Sequence, residues 1–166
     1  GSKGLPGKNR LLFEHTISKI PKIYKKDVIV TTDDEVIIEQ LSSSECKTLK
    51  RQKALSEDIT STRDVLQDAI DKYNISEDEQ IIMLYLTYPE RTWKDIEQAL
   101  EFYSKTKARS LLCCSDVKVN PFLCMLKKDN YKGAQIIEHN LYRRQDYPEC
   151  FEISHFISIF QSDELK

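Results

Sequence analysis

Short runs of apolar residues without polar alternation mark the predicted strands. Three of them cover residues 28–30, 81–86 and 111–114. Strands that are covered on both faces of a parallel sheet have this pattern, because neither set of alternating side chains meets water. A fourth segment, 151–160, alternates more between apolar and polar residues. We therefore expect it near a sheet edge or in an antiparallel position.

Segments with helical periodicity lie between these runs. Apolar residues recur at three- and four-residue spacing within 12–20, 65–73 and 93–103. Thr92 and Asp95 have the spacing of a capping box, and Thr62 is available to cap the preceding helix. Alternating strands and helices predict an α/β fold with a doubly wound, mostly parallel sheet. Ligands of such sheets bind beyond the carboxyl ends of the strands, so the loops after the apolar runs are candidate sites.

The length predicts one domain over residues 1–166. Residues 125–150 are more polar and irregular, and we expect them to form a small arm or insertion within it. No run approaches the roughly 18 apolar residues of a membrane span, and the start does not resemble a signal peptide. The expectation is therefore a cytoplasmic protein that does not bind membranes.

Charge and cysteine content narrow the function classes. The chain has 25 Lys and Arg against 27 Asp and Glu, a formal net charge of −2. A general nucleic-acid binder needs an excess of positive charge, so no nucleic-acid partner is expected. The five cysteines form no CxxC pair, and an odd number does not fit a disulfide framework. Buried, reduced thiols are expected.

The first nine residues are rich in glycine and lysine. They read Gly-Ser-Lys-Gly-Leu-Pro-Gly-Lys-Asn. Glycines let backbone N–H groups approach an anion closely, and two ammonium groups neutralise its charge. These residues fit a phosphate-holding loop, and they fit equally well a flexible or artificially added N-terminus.

Other parts of the chain favour the phosphate-holding loop. The first nine residues resemble the nucleotide-binding loop of the acylneuraminate cytidylyltransferases, or CMP-sialic acid synthetases. Four further segments are similar to that family in the same order: 30–34 (VTTDD), 51–62 (RQKALSEDITST), 87–92 (TYPERT) and 142–148 (YRRQDYP). The Gly-Lys-Asn and Arg-Arg-Gln-Asp forms favour the acylneuraminate branch over the related Kdo cytidylyltransferases.

This resemblance implies a Rossmann-like nucleotidyltransferase with a defined reaction. The family transfers CMP from CTP to the anomeric hydroxyl of a nine-carbon, sialic-acid-like sugar acid, releases pyrophosphate and uses Mg²⁺. Such products supply bacterial surface polysaccharide synthesis. Members usually form homodimers, and the arm at 125–150 would reach the partner's site.

The resemblance also implies roles for individual residues. Lys3 and Lys8 would be catalytic, by neutralising the phosphates of CTP. The sugar acid would be bound by Tyr85, Arg143, Arg144 and Gln145. The nucleotide would be bound by Gly1, Ser2, Lys3, Gly4, Lys8, Asn9, Arg51 and Thr62. The metal ligands stay unknown.

Simpler interpretations compete for several of these residues. Arg143 and Arg144 have acidic neighbours, Asp146 and Glu149, with which they can pair on a surface. Two more acidic residues, at 33 and 34, are better placed to cap the following helix than to bind a metal. Arg91 is expected to shape a turn rather than touch substrate.

The chain also departs from the family pattern. The strand and the arginine that precede the nucleotide loop in the family are not in this sequence, and neither is its acidic I-D-x-D segment, which helps to hold Mg²⁺. Tyr85 and Leu86 replace a Gln-Pro pair, and Tyr88 replaces a serine. Two alternatives follow. One is a cytidylyltransferase for a different acid or a phosphorylated acceptor, and the other is a shortened, non-catalytic nucleotide-binding or interaction domain.

Overall fold

A computed structural model describes residues 4–5, 8–56 and 60–165; for 4–5 and 8–10 it describes the backbone alone. The chain divides into two compact units. The first contains the residues up to Leu111 together with those from Phe156 onward, and the second is Leu112–His155.

The first unit contains four α-helices. In chain order they are α1 (Leu12–Lys19), α2 (Glu35–Leu41), α3 (Thr62–Tyr73) and α4 (Trp93–Thr106). Its strands are β1 (Gly4–Leu5), β2 (Lys8–Leu11), β3 (Ile29–Thr32), β4 (Lys47–Lys50) and β5 (Gln80–Met83). Short 3₁₀ turns cover Lys22–Asp27, Lys53–Leu55 and Ser162–Leu165.

Two long strands contribute residues to both units. They are β6 (Ser110–Asp116) and β9 (Phe151–Gln161). The second unit also has the short strands β7 (Met125–Lys127) and β8 (Gly133–Gln135), which pair antiparallel. Its 3₁₀ turns are Pro121–Leu123, Asp129–Tyr131 and Arg144–Asp146.

The described strands group into four sheets. β3 and β4 pair in parallel, with Ile29 opposite Lys47 and Thr32 opposite Lys50. A three-stranded sheet has the order β5-β9-β6, and β5 runs antiparallel to β9. The mixed α/β class is therefore confirmed, whereas a single doubly wound sheet stays a prediction. The antiparallel position expected for 151–160 is also confirmed, and in the described sheet β9 lies between its two neighbours.

Side-chain caps set the beginnings of three helices. Thr92 and Asp95 form the predicted capping box of α4, in which the Thr92 N–H donates to Asp95 Oδ2 at 2.7 Å. Hydrogen bonds from Thr92 hold the pKa of Asp95 below its usual value. Asp34 caps α2 by accepting from the N–H of Val36 at 3.0 Å, as expected. For α3 the predicted cap, Thr62, was wrong by one residue. Ser61 caps this helix, and the Thr62 hydroxyl takes no part in the cap.

The described core includes apolar side chains from helices and from β9. Phe13 of α1 packs with Ile37 and Leu41 of α2 in one cluster. On β9, Ile157 and Ile159 are almost completely buried.

All five cysteines are free thiols. Cys46 is buried, as expected, whereas Cys114 is exposed, so the expectation of burial is wrong for Cys114. Burial raises the pKa of the Cys46 thiol. Among the described residues, no helix has the length and apolar character to cross a membrane.

Candidate functional site

The parallel pair β3–β4 places Arg51 at a carboxyl edge. Because the strands are parallel, both end at the same edge, and Arg51 directly follows β4. Its backbone N–H donates to the Thr32 carbonyl at 2.8 Å, and its Nη2 donates to the Thr31 carbonyl at 3.0 Å. The guanidinium is thus turned back along β3 and half-buried. This is the edge at which ligands of α/β sheets bind.

Thr62 and Tyr85 meet although they are 23 positions apart. Thr62 is the first residue of α3, and its Oγ1 lies 3.1 Å from the Tyr85 hydroxyl. Tyr85 follows the carboxyl end of β5. The structure therefore brings together one residue predicted for the nucleotide and one predicted for the sugar acid. Thr62 has a hydroxyl available for this contact because Ser61 caps the helix.

The loop after β5 is organised by a buried arginine. Arg91 is only 3% exposed, and its Nη2 donates to the Tyr85 carbonyl at 2.9 Å. Its Nη1 donates to the carbonyl of Phe156, over whose ring the guanidinium also lies. The Arg91 N–H closes a turn on the Tyr88 carbonyl at 3.2 Å. The expectation that Arg91 shapes a turn is confirmed.

The Arg-Arg-Gln-Asp segment belongs to the second unit. Arg143 binds Asp146 with two hydrogen bonds, Nη2 to Oδ1 at 2.7 Å and Nε to Oδ2 at 2.9 Å. The pairing expected as the simpler interpretation is therefore present for Arg143. Arg144 and Gln145 are exposed, and Arg144 has no ion pair within the described ranges. Sugar-acid binding by these three residues stays a prediction.

The glycine- and lysine-rich start is described only in part. Gly1, Ser2 and Lys3 lie outside the described residues. The backbone of Gly4 and Leu5 pairs antiparallel with that of 8–11, with Leu5 opposite Lys8. Lys8 and Asn9 therefore lie on a strand that leads directly into α1. The phosphate-binding roles of Gly4, Lys8 and Asn9 stay predictions.

The described residues do not assemble a metal site. No group of three or more His, Cys, Asp or Glu side chains comes together in the part of the chain that the structure describes. Asp34 is used as a helix cap, and its neighbour Asp33 is exposed. The capping interpretation is thus confirmed for Asp34.

Comparison with known proteins gives two similar relatives from Streptococcus agalactiae. The chain is 31% identical over 156 residues to the N-acylneuraminate cytidylyltransferase of serotype V and 30% identical to that of serotype III. Each match covers 88% of this chain and 37% of the relative. The resemblance to the N-acylneuraminate cytidylyltransferases is confirmed. No protein-family model matches the chain.

This cytidylyltransferase-like chain is also similar to a protein named for flagellin modification. It is 25% identical over 176 residues to a post-translational flagellin modification protein B of Campylobacter coli. That match covers 99% of this chain and 75% of the relative. The chain spans little more than a third of the streptococcal cytidylyltransferases that it matches, and three quarters of the Campylobacter protein.

Two residues that sequence reasoning missed hold the loop after β5. His15 Nε2 lies 2.9 Å from the Pro89 carbonyl, and Lys19 Nζ donates to the Arg91 carbonyl at 2.6 Å and to the Pro89 carbonyl. Both side chains come from α1, 70 or more positions earlier in the chain. No motif marks them in this cytidylyltransferase-like sequence, because one helical turn with a histidine and a lysine resembles any amphipathic helix.

Proposed function

We propose that this chain is a cytidylyltransferase, or the nucleotide-binding part of one, that acts on a sialic-acid-like (nonulosonic) sugar acid. The observation that carries the proposal is the match over 88% of the chain to proteins named N-acylneuraminate cytidylyltransferases. The position of Arg51 at the carboxyl edge of β3–β4 supports it, since nucleotides bind at such edges. The reaction would take place in the cytoplasm and supply surface polysaccharide synthesis.

The proposed reaction is a displacement at the α-phosphorus of CTP. The anomeric oxygen of the sugar acid forms a bond to this phosphorus, the bond to the β-phosphate oxygen breaks, and pyrophosphate leaves with that electron pair. The hydroxyl proton goes to water. Such chemistry depends on positioning and on neutralising charge at the transferring group. Lys3 and Lys8 would neutralise the phosphates, while Gly1, Ser2, Gly4, Asn9, Arg51 and Thr62 would bind the rest of the nucleotide.

The sugar acid would be recognised through its carboxylate and hydroxyls. A guanidinium can hold a carboxylate with two parallel hydrogen bonds. We assign this role to Arg144, because Arg143 already binds Asp146 in the same way. Gln145 and Tyr85 would bind sugar hydroxyls.

Mg²⁺ enters the proposal from the resemblance alone. The described residues do not fit a metal site by themselves. Mg²⁺ is commonly bound by substrate phosphates together with only one or two carboxylates. We therefore propose Mg²⁺ as the cofactor and assign no ligand in this chain.

Two alternative functions compete with this proposal. Tyr85 and Tyr88 stand where the family has a glutamine and a serine, and one relative is named for flagellin modification, which favours a different acid or a phosphorylated acceptor. The second alternative is a non-catalytic nucleotide-binding or interaction domain of the same fold. Turnover of another acid or of a phosphorylated acceptor in a substrate panel would identify the first alternative. CTP binding without turnover would identify the second.

The decisive experiment measures pyrophosphate release from CTP and Mg²⁺ across a panel of sialic-acid-like sugars and Kdo. We expect release with one or more nonulosonic acids and none in excess EDTA. Lys8→Met is expected to lower kcat/KM about 100-fold, since it removes a charge that binds the transferring group. Lys94→Met, which removes an exposed lysine from α4, is the matched control and should stay near wild type.

The outcomes of this assay are distinct. Release with Kdo and not with nonulosonic acids would contradict the proposed substrate class. Calorimetric CTP binding without release from any acid would identify a non-catalytic domain. Absence of CTP binding to folded protein would overturn the proposal.

We further propose that the chain forms a homodimer through the second unit. Large apolar side chains of this unit are exposed, and Tyr131 is 98% exposed. They include Leu123, Met125, Leu126, Tyr131 and Ile136. Large exposed apolar patches are typical of protein–protein interaction sites. Size-exclusion chromatography with light scattering should give about twice the 19.4 kDa chain mass, and a monomer would contradict the proposal. Met125→Lys should shift the protein toward the monomer.

A further inference from the structure

A chain of hydrogen bonds connects α1 to Tyr85 of the candidate site. It begins at Lys19, in the last turn of α1, whose ammonium donates to the carbonyls of Pro89 and Arg91. His15, one turn earlier, reaches the same Pro89 carbonyl at 2.9 Å. One helix thus holds both carbonyls at the end of the loop after β5.

Arg91 extends the connection to Tyr85. Its backbone is held by Lys19, and its own guanidinium donates to the Tyr85 carbonyl at 2.9 Å. The Tyr85 hydroxyl then lies 3.1 Å from Thr62. Each of these links is a direct contact, so displacement of the loop would move the Tyr85 ring.

Lys19 lies beside a small cavity next to the loop. This cavity, between α1, the loop and the start of α4, has a volume of about 10 Å³. This volume, lined in part by Thr16, Lys19, Tyr88 and Arg91, holds at most one water molecule.

We propose that Lys19 is a positioning residue that fixes Tyr85 and thereby sets the affinity for the acceptor sugar acid. The inference rests on the proposed function, because it takes Tyr85 as part of the acceptor site. Lys19 itself contacts backbone carbonyls and not the Arg51 edge, so CTP binding should not depend on it.

The test uses Lys19→Met, which keeps most of the aliphatic stem and removes the donor. We expect the KM for the sugar acid to rise about tenfold, with the KM for CTP and kcat changed less than about twofold. Lys19→Arg retains a donor and should restore part of the affinity. Lys94→Met, exposed on α4, is the control that removes the same charge elsewhere.

A double-mutant cycle with Tyr85→Phe tests whether Lys19 acts through the tyrosine. If Lys19 acts through Tyr85, the Tyr85→Phe substitution will raise the KM for the sugar acid less in the Lys19→Met variant than in the wild type. Additive effects, or equal changes in both KM values, would overturn the proposal.

Amide hydrogen exchange separates this inference from the proposed function. Exchange in residues 85–91 should be faster in Lys19→Met than in wild type or Lys94→Met, whether or not the protein turns over CTP. Turnover with an unchanged acceptor KM would overturn the role of Lys19 and leave the proposed function standing. If no acid is turned over, the transferase reaction of the proposed function fails, and unchanged exchange would then overturn the positioning of the loop as well.

Discussion

Arg91→Met is expected to lower the free energy of unfolding by about 3 kcal/mol. Arg91 is 3% exposed, and its guanidinium donates to the carbonyls of Tyr85 and Phe156. Hydrogen bonds from charged groups contribute roughly 1.5–3 kcal/mol each, which sets the scale of the expected loss. The contact with the Phe156 ring is lost in the same substitution.

Urea unfolding followed by circular dichroism measures this change. Arg63→Met is the matched control, because Arg63 is exposed on the first turn of α3, and its effect should stay within about 0.5 kcal/mol. Arg91→Lys keeps the charge without the planar fork, so it should recover only part of the loss. Equal stability of Arg91→Met and Arg63→Met would show that the loop does not depend on the guanidinium.

Ile159→Ala is expected to cost about 3–4 kcal/mol of unfolding free energy. Ile159 is 0% exposed and lies on β9, opposite Ile82 of β5 in a sheet where β9 has neighbours on both sides. Truncation removes buried methyl and methylene groups and leaves a cavity that a strand paired on both sides cannot close. Comparable substitutions in packed cores cost roughly 2–5 kcal/mol.

The control for this prediction is the same substitution at an exposed isoleucine. Ile23 is 70% exposed, so Ile23→Ala should change the unfolding free energy by less than about 0.5 kcal/mol. The difference between the two isoleucines measures burial alone. A loss below about 1 kcal/mol for Ile159→Ala would contradict the position of β9 in the core.

Several structural elements followed from local pattern. The apolar runs predicted β3, β5 and β6, and the alternating segment 151–160 predicted β9. Burial on both faces was expected for the apolar runs and is wrong for β6, where Leu112 is 50% exposed. The capping box of α4 and the cap of α2 were also predicted, since both depend on residues within three positions. The motifs of the nucleotide loop and the Arg-Arg-Gln-Asp segment led to the correct relatives.

Local pattern was less informative where two neighbouring residues could both cap a helix, or where several strands could pair. Ser61 and Thr62 are both good caps by residue type, and the structure uses Ser61. The same choice gave Thr62 its contact with Tyr85. Strand partners were also ambiguous, since the pattern of 151–160 did not say which strands would flank it.

The contacts that shape the candidate site come from distant parts of the chain. Lys19 meets Pro89 and Arg91, and Arg91 meets Phe156, across separations of 65 to 72 positions. Periodicity and capping report on interactions within a turn or two, so they predict which segments are helices and strands. The donors and acceptors that meet between segments depend on how those segments pack, and here only the folded chain places the α1 lysine against the loop that holds Tyr85.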